Sequence, residues 1–254
     1  MRIKKKIVIA NWKMNHGFYE TTSFIRNFMK KIFEEKINHK KKIIIAPSFP
    51  FLHIASQIVR GTNLQIAAQN ISFEEKGAYT GEVSAYMLKS IGINYVLIGH
   101  SERRKYFLES KEILLKKIKI ATKHKINVIF CLGETGEERN KNQHFSIIKK
   151  ELYNTIFHCS SNEIDLIHIA YEPIWAIGTN KTATTEECQE IHQFIRNLLM
   201  KKYGKCVSNN IFILYGGSIN TENAGKIFSQ LDVDGGLIGS YSLELENFLK
   251  IIRS

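Results

Sequence analysis

Cysteine is scarce in this sequence, and the few cysteines stand far apart. The 254 residues contain four of them, and no two form a CxxC pair. Disulfide frameworks and zinc sites both need paired or closely spaced cysteines, so this spacing argues against either. The chain therefore fits a reducing compartment, and we expect a cytoplasmic protein. The four positions are Cys131, Cys159, Cys188 and Cys206.

Proline and long apolar stretches are also scarce. The three prolines are isolated, and no Pro/Gly/Ser-rich linker interrupts the chain, so we expect one domain spanning 1–254. No stretch approaches the roughly 20 apolar residues that span a bilayer, so we expect no membrane partner. The early apolar stretch, Ile7 to Ala10, is much shorter than the core of a signal peptide.

Acidic residues are outnumbered, since 36 Lys and Arg face 24 Asp and Glu, for a net charge of +12. A basic stripe could bind nucleic acid, but the lysines are scattered over every polar segment and no groove-reading motif accompanies them. We therefore expect no nucleic-acid partner. A general positive field would still speed the capture of a small dianion.

Short β-branched or apolar segments recur eight times, each followed by a longer segment with helical periodicity. Such alternation predicts parallel strands joined by crossover helices, and eight units close into a single (β/α)8 barrel of the α/β class. Two of the predicted helices cover 18–36 and 185–203. The predicted strands are Ile7 to Ala10, Ile43 to Ala46, Leu64 to Ala68, Tyr95 to Ile98, Val128 to Cys131, Leu166 to Ala170, Ile211 to Tyr215, and Gly235 to Ile238.

Glu172 stands where the sixth strand ends, between an apolar run and Pro173. A strand-end acid commonly pairs with a lysine or caps a helix, but here an apolar loop follows it where a polar loop is expected. We interpret this loop as a lid, with Ile177 covering a carboxylate base and expelling water from it. The segments 173–175 and 181–183 would be its hinges.

His100 and Lys13 follow the fourth and first strands, with Glu102 and Asn11 beside them. Alone, His100 would be read as a core histidine and Lys13 as one more exposed lysine. However, the segment after His100 can begin a helix, whose dipole would keep the imidazole neutral and able to donate to a substrate oxygen. A cation at Lys13 could stabilise negative charge on such an oxygen.

Glycine-rich turns follow the last two strands, at 215–219 and 234–240. Each alone would be an ordinary tight turn. Together they occupy the positions where barrels commonly bind phosphate through backbone N–H groups.

Eight motifs occur along the chain in an order and spacing that resemble the triosephosphate isomerase family. They are NWKMN, AAQN, YTGEVSAYML, IGHSERR, CLGE, AYEPIWAIGT, YGGS and GLIGS. The resemblance covers nearly the whole chain. It implies a TIM barrel that interconverts dihydroxyacetone phosphate and D-glyceraldehyde 3-phosphate through an enediolate, in glycolysis and gluconeogenesis, without cofactor or metal.

The resemblance also implies roles for individual residues. Glu172 would be the base, and His100 would polarise the carbonyl and move hydroxyl protons. Lys13 and Asn11 would bind substrate and supply the electrostatic surroundings, and Glu102 would orient the Lys13 region. Ile177 and Leu237 would clamp the base. Backbone N–H groups would hold the phosphate at Gly178, Ser218, Gly239 and Ser240.

A homodimer is implied as well, since the third βα loop of this family reaches into its partner. Here that loop carries Thr80 and Glu82 at its tip, and its length favours a role in a dimer interface.

Two positions depart from the family pattern, Asn180 in the lid and Ser240 after the eighth strand. Two alternatives remain from the residues alone: another barrel enzyme acting on a small sugar phosphate, such as an epimerase, and a catalytically inert barrel that serves as a scaffold.

Overall fold

Eight parallel strands form a closed barrel in which each strand pairs with the next along the chain. The structure is a computed structural model, and it describes residues 6–35, 41–177 and 182–254. Pairing of Ile7 with Gly235 and of Ala10 with Ile238 closes the barrel between the first and last strands. The strands are β1 Lys6–Asn11, β2 Lys41–Ala46, β3 Gln65–Ala68, β4 Tyr95–Ile98, β5 Asn127–Leu132, β6 Ile167–Tyr171, β7 Ile213–Tyr215 and β8 Gly235–Ile238.

Helices surround the barrel and connect its strands. The described α-helices are α1 Phe18–Glu34, α2 Leu52–Ile58, α3 Ala85–Ser90, α4 Ser101–Tyr106, α5 Lys111–Lys123, α6 Gly136–Asn140, α7 His144–Asn154, α8 Ser161–Ile164, α9 Thr185–Asn210, α10 Ala224–Phe228 and α11 Leu245–Arg253. Short 3₁₀ helices cover Phe49–Phe51, Ile156–His158, Ile174–Ala176 and Ser240–Ser242. Within the described ranges, no helix is both long enough and apolar enough to cross a membrane.

All eight predicted strands are present, with shifts at their ends. The seventh begins at Ile213 rather than Ile211, because the Ile211 N–H still bonds the Val207 carbonyl at the end of α9. The sixth begins at Ile167 rather than Leu166, whose N–H bonds back to Glu163 in a turn. Helix α9 runs past the predicted end at 203 to Asn210, with a kink at Gly204.

The core has two layers, which explains why the strands are apolar along their whole length. An outer layer packs between strands and helices and contains Val8, Phe28 and Phe130 among many others. An inner layer fills the barrel itself with Ile7, Ile9, Ile44, Ala46, Ala67, Tyr95, Leu97, Ile129, Cys131, Ala170, Leu214 and Leu237.

Strand β8 approaches β1 so closely that a Cβ on Gly235 would lie 1.8 Å from the Ile7 carbonyl oxygen. Glycine is therefore required where the barrel closes.

Candidate active site

A polar cavity of about 630 Å³ lies at the carboxyl ends of the strands, which is the face where barrels of this kind carry their chemistry. It brings together most of the residues that the sequence singles out. Among those lining it are Asn11, Lys13, His100, Glu172, Ile177, Ser218, Leu237, Gly239 and Ser240. The predicted phosphate ligand Gly178 and the departure at Asn180 lie outside the described residues.

Glu172 enters the cavity from the residue after β6, and it is 2% exposed. Its backbone N–H donates to the Leu132 carbonyl at 2.7 Å, and its Oε2 accepts from the Ser101 N–H at 3.1 Å. A Cβ on Gly216 would lie 2.9 Å from Glu172 Cγ, and one on Gly133 would lie 1.8 Å from its carbonyl oxygen. The acid is thus held in a tight slot formed by the ends of three strands.

His100 is the N-cap of α4, and its imidazole has a defined tautomer. Nδ1 accepts a hydrogen bond from the Glu102 backbone N–H at 3.2 Å, so that nitrogen carries no proton. Nε2 then carries the proton of the neutral ring and lies 3.2 Å from Glu172 Oε1. The predicted short helix is present, and its first turn fixes a ring that can donate from Nε2 into the cavity.

Lys13 adopts a left-handed backbone, with φ of 52°, which is unusual for a residue with a long side chain. Its N–H donates to Asn11 Oδ1 at 3.2 Å. Its carbonyl accepts from Ser48 Oγ at 3.0 Å and from Gln69 Nε2 at 2.8 Å. Hydrogen bonds from two neighbouring loops therefore hold the unusual backbone conformation that directs the Lys13 side chain into the cavity.

Lys13 Nζ lies 2.5 Å from Glu102 Oε1, so the lysine on the first loop meets the acid on the fourth. The carbon chain of Lys13 passes beside the last glycine turn, where a Cβ on Gly239 would lie 3.8 Å from Lys13 Cε. The ammonium is accordingly positioned between the histidine side of the cavity and the glycine-rich side.

The two glycine-rich turns face the same cavity from β7 and β8. Gly217 leaves no room for a side chain, because a Cβ would lie 2.3 Å from the Tyr215 hydroxyl. Gly239 has φ of −86° and begins the 3₁₀ helix Ser240–Ser242. Ser240 is exposed and does not adopt a left-handed φ, so its side chain fits the turn without backbone strain.

The first hinge predicted for the lid rests on a carboxylate that sequence reasoning did not single out. Glu134 is fully buried, and its Oε1 accepts from the Tyr171 hydroxyl and from Trp175 Nε1, both at 2.9 Å. Its backbone carbonyl accepts from the Ile174 N–H at 3.0 Å. The guanidinium of Arg139 lies 3.7 Å away. One acid therefore anchors the start of the apolar loop.

Three contributions to the site were missed from the sequence: the Glu134 anchor, the Gln69 contact and the Ser101 N–H. Each lies in a quoted motif, CLGE, AAQN or IGHSERR, so the motifs marked the right segments without showing which atoms act. Cys131 is fully buried beside Glu172. Burial first, and then the nearby Glu172, raise the pKa of this thiol well above its ordinary value.

The four cysteines are free thiols, of which Cys206 is exposed. Within 6–35, 41–177 and 182–254, no group of three or more His, Cys, Asp or Glu side chains is placed to hold a metal ion.

Residues 6–254 match the family model described as triosephosphate isomerase. Curated relatives of the same name agree over nearly their full length. The chain is 46% identical over 251 residues to the Flavobacterium psychrophilum protein, covering 99% of each chain. It is 43% identical over 252 residues to the Flavobacterium johnsoniae protein, covering 99% of this chain and 100% of the other. It is 41% identical over 254 residues to the Dictyoglomus thermophilum protein, with the same coverage.

Proposed function

This chain belongs to the triosephosphate isomerase family and is an isomerase of that family, and we propose that it interconverts dihydroxyacetone phosphate and D-glyceraldehyde 3-phosphate by glutamate-mediated proton transfer. The observation that carries the mechanism is the pairing of a buried carboxylate with a neutral imidazole. Glu172 Oε1 lies 3.2 Å from the protonated Nε2 of His100, within a cavity that also contains Lys13.

In the proposed reaction, Glu172 removes a proton from the carbon next to the carbonyl and returns it to the neighbouring carbon. Its carboxylate now bonds the Ser101 N–H, so it must rotate toward the cavity to reach that carbon. There the Glu172 carboxylate would leave the Ser101 N–H and lie under Ile177, where little water is present. Loss of these stabilising contacts would make it a stronger base. This shielding explains an apolar loop directly after an acid.

The enediolate would form beside His100 and Lys13. The imidazole donates from Nε2 to the carbonyl oxygen and passes protons between the two adjacent oxygens. Lys13 Nζ, held near Glu102, stabilises the negative charge that develops there, and Asn11 completes the polar wall. Groups that are already fixed by the fold need little reorganisation during the reaction.

The phosphate would bind on the glycine-rich side, through the backbone N–H groups of Ser218, Gly239 and Ser240, with Gly178 of the lid as a fourth donor. The cavity lining supports this proposal. Gly216 and Gly217 have no side chains, so their backbone reaches the cavity surface, where an anion could come close to it. Leu237 and Ile177 would close the apolar side over the base.

A coupled assay of glyceraldehyde 3-phosphate isomerisation tests the activity, and Glu172→Gln tests the base. The amide keeps the shape of the acid but cannot accept a proton, so turnover should collapse while binding of a phosphate-bearing inhibitor survives. Glu137→Gln, an exposed acid on α6, is the matched control and should turn over normally. Turnover of Glu172→Gln within about tenfold of the parent, about 1.4 kcal/mol in the barrier, would refute the assignment.

We also propose a homodimer formed through the loop around Thr80. The tip of this loop is exposed from residue 76 to 82, while its base is tied by the Ser72 N–H to the Val83 carbonyl at 2.8 Å. Tyr86, which is 70% exposed, lines a surface cavity together with the loop residues Gly77 and Tyr79. A loop that is rigid at its base and exposed at its tip suits docking into a second copy.

Replacing residues 77–82 with a short glycine linker should give a monomer with poor activity, because the partner loop would no longer support the Lys13 region. Light scattering and the coupled assay measure both effects, and an active monomer would contradict the proposal.

We further propose that the chain acts as one catalytic domain, 1–254, in the cytoplasm, within glycolysis and gluconeogenesis.

A further inference from the structure

Trp12 directly follows β1 and is almost completely buried, at 1% exposure. It lies beside the seam where the barrel closes, since Ala10 of β1 pairs with Ile238 of β8. Its ring packs edge-on against Phe24 of α1, with the ring centroids 5.0 Å apart. A buried indole carries one N–H donor that needs an acceptor, so the group that accepts it shows what Trp12 holds in place.

The acceptor is the backbone carbonyl of Ser242, which lies 3.1 Å from Trp12 Nε1 in a buried contact. Ser242 is the last residue of the 3₁₀ helix Ser240–Ser242, and carbonyls at the end of a helix have no partner within it. Ser242 is itself fully buried, and its N–H and Oγ donate to the Gly239 carbonyl at 2.9 Å and 2.7 Å. One indole N–H therefore ties the loop after β1 to the turn after β8, residues 239–242, which we call the phosphate turn.

The phosphate turn carries two of the N–H groups that we propose bind the phosphate. The lysine on the other side of Trp12 is held independently, because the Lys13 carbonyl accepts hydrogen bonds from Ser48 and Gln69 on two other loops. Loss of the indole N–H would therefore free the phosphate turn and leave the Lys13 backbone in place. The contacts thus separate binding of the phosphate from stabilisation of the developing negative charge.

We propose that Trp12 is a positioning residue for phosphate binding, whose indole N–H fixes the phosphate turn so that the Gly239 and Ser240 N–H groups already face the anion. The inference rests on the proposed function, since it takes those two groups as phosphate donors. A fixed turn binds the phosphate alike in the substrate and in the transition state. Loss of the indole hydrogen bond should therefore raise KM and leave kcat nearly unchanged.

Two replacements of Trp12 test this role. Trp12→Phe removes the N–H and keeps an aromatic ring beside Phe24. Benzothienylalanine at position 12 keeps the two-ring shape and has sulfur in place of the N–H, so it separates the hydrogen bond from the packing. For both, we expect KM for glyceraldehyde 3-phosphate to rise about five- to tenfold, with kcat within about twofold of the parent. Calorimetric titration with inorganic phosphate should show a loss of affinity of about five- to tenfold as well.

Tyr203→Phe is the matched control, because it also removes an aromatic donor to backbone carbonyls, those of Ile156 and Cys159, and Tyr203 lies on α9 outside the cavity lining. It should lower stability in urea unfolding without changing KM or the affinity for phosphate. Parental phosphate affinity in the benzothienylalanine variant, or a fall in kcat alone, would overturn the inference even where the parent isomerises its substrate. A parent that neither isomerises nor binds phosphate would overturn the proposed function, and this inference with it.

Discussion

Glu134→Ala should destabilise the protein and loosen the start of the lid together. Glu134 is fully buried and accepts two hydrogen bonds, one from Tyr171 in the core and one from Trp175 in the predicted hinge of the lid. Burial first, and then the charge of Glu134, raise the pKa of Tyr171 well above its ordinary value, so this hydroxyl remains a donor. Truncation removes the acceptor and leaves the donor in the core.

The magnitude follows from those contacts. A buried donor that loses its partner costs about 1–3 kcal/mol. Removing a buried carboxylate beside the guanidinium of Arg139 adds a comparable amount, so we expect a loss of about 2–4 kcal/mol in the free energy of unfolding. Glu134→Gln keeps a carbonyl oxygen for both donors and should lose about 1 kcal/mol.

Urea unfolding at pH 7 measures these free energies, and the coupled isomerase assay measures KM. Both Glu134 variants should raise KM, with the alanine variant more affected, because the hinge would no longer hold the loop over the substrate. Glu137→Ala, on the exposed side of α6, controls for the loss of an acid. A loss below about 1 kcal/mol for Glu134→Ala would refute the reasoning, since it would mean that neither hydrogen bond matters.

Three further outcomes are expected. Leu108 is 79% exposed and has φ of 52°, so Leu108→Gly should raise the free energy of unfolding by about 0.5–1 kcal/mol, while Leu108→Ala should leave it unchanged. Ser240→Gly should keep KM within about twofold, because Ser240 fits its turn without strain; a tenfold improvement would show that its side chain obstructs the phosphate. Burial lowers the pKa of His192 to about 4, from an ordinary 6.5, so as pH falls the unfolded chain takes the proton first. The free energy of unfolding should therefore fall by about 2 kcal/mol between pH 7 and pH 5 because of this group, and the His192→Gln variant should not show that fall.

The fold was predictable because each strand is apolar on both faces. Residues that point into the barrel and residues that point to the helices are both buried, which gives eight short continuous runs that are easy to read. The ends of the runs were less reliable. Ile211 is as apolar as the strand it precedes, and only its hydrogen bond to Val207 assigns it to the helix.

The sequence predicted the charged residues of the candidate site but not the residues that hold them in place. Glu172 and His100 are polar residues at the ends of apolar runs, so position alone drew attention to them. Gln69 is equally polar, but its importance depends on reaching the Lys13 and Ala46 carbonyls across two loops. Contacts of this kind join segments distant in the chain, and no local pattern encodes them.

Three acids lie around the candidate site, and their contrasting partners explain how one barrel end can hold them all. Glu134 accepts from Tyr171 and Trp175 through one oxygen, while Glu102 faces the Lys13 ammonium at 40% exposure of its side chain. Glu172 is buried, yet it accepts one backbone hydrogen bond and faces a neutral imidazole. Within the described residues, Glu172 forms no ion pair with a lysine or arginine, whereas Glu134 lies beside the Arg139 guanidinium and Glu102 bonds the Lys13 ammonium. Glu172 is therefore the acid of the three that no fixed cation pairs with, which suits it to accept a proton.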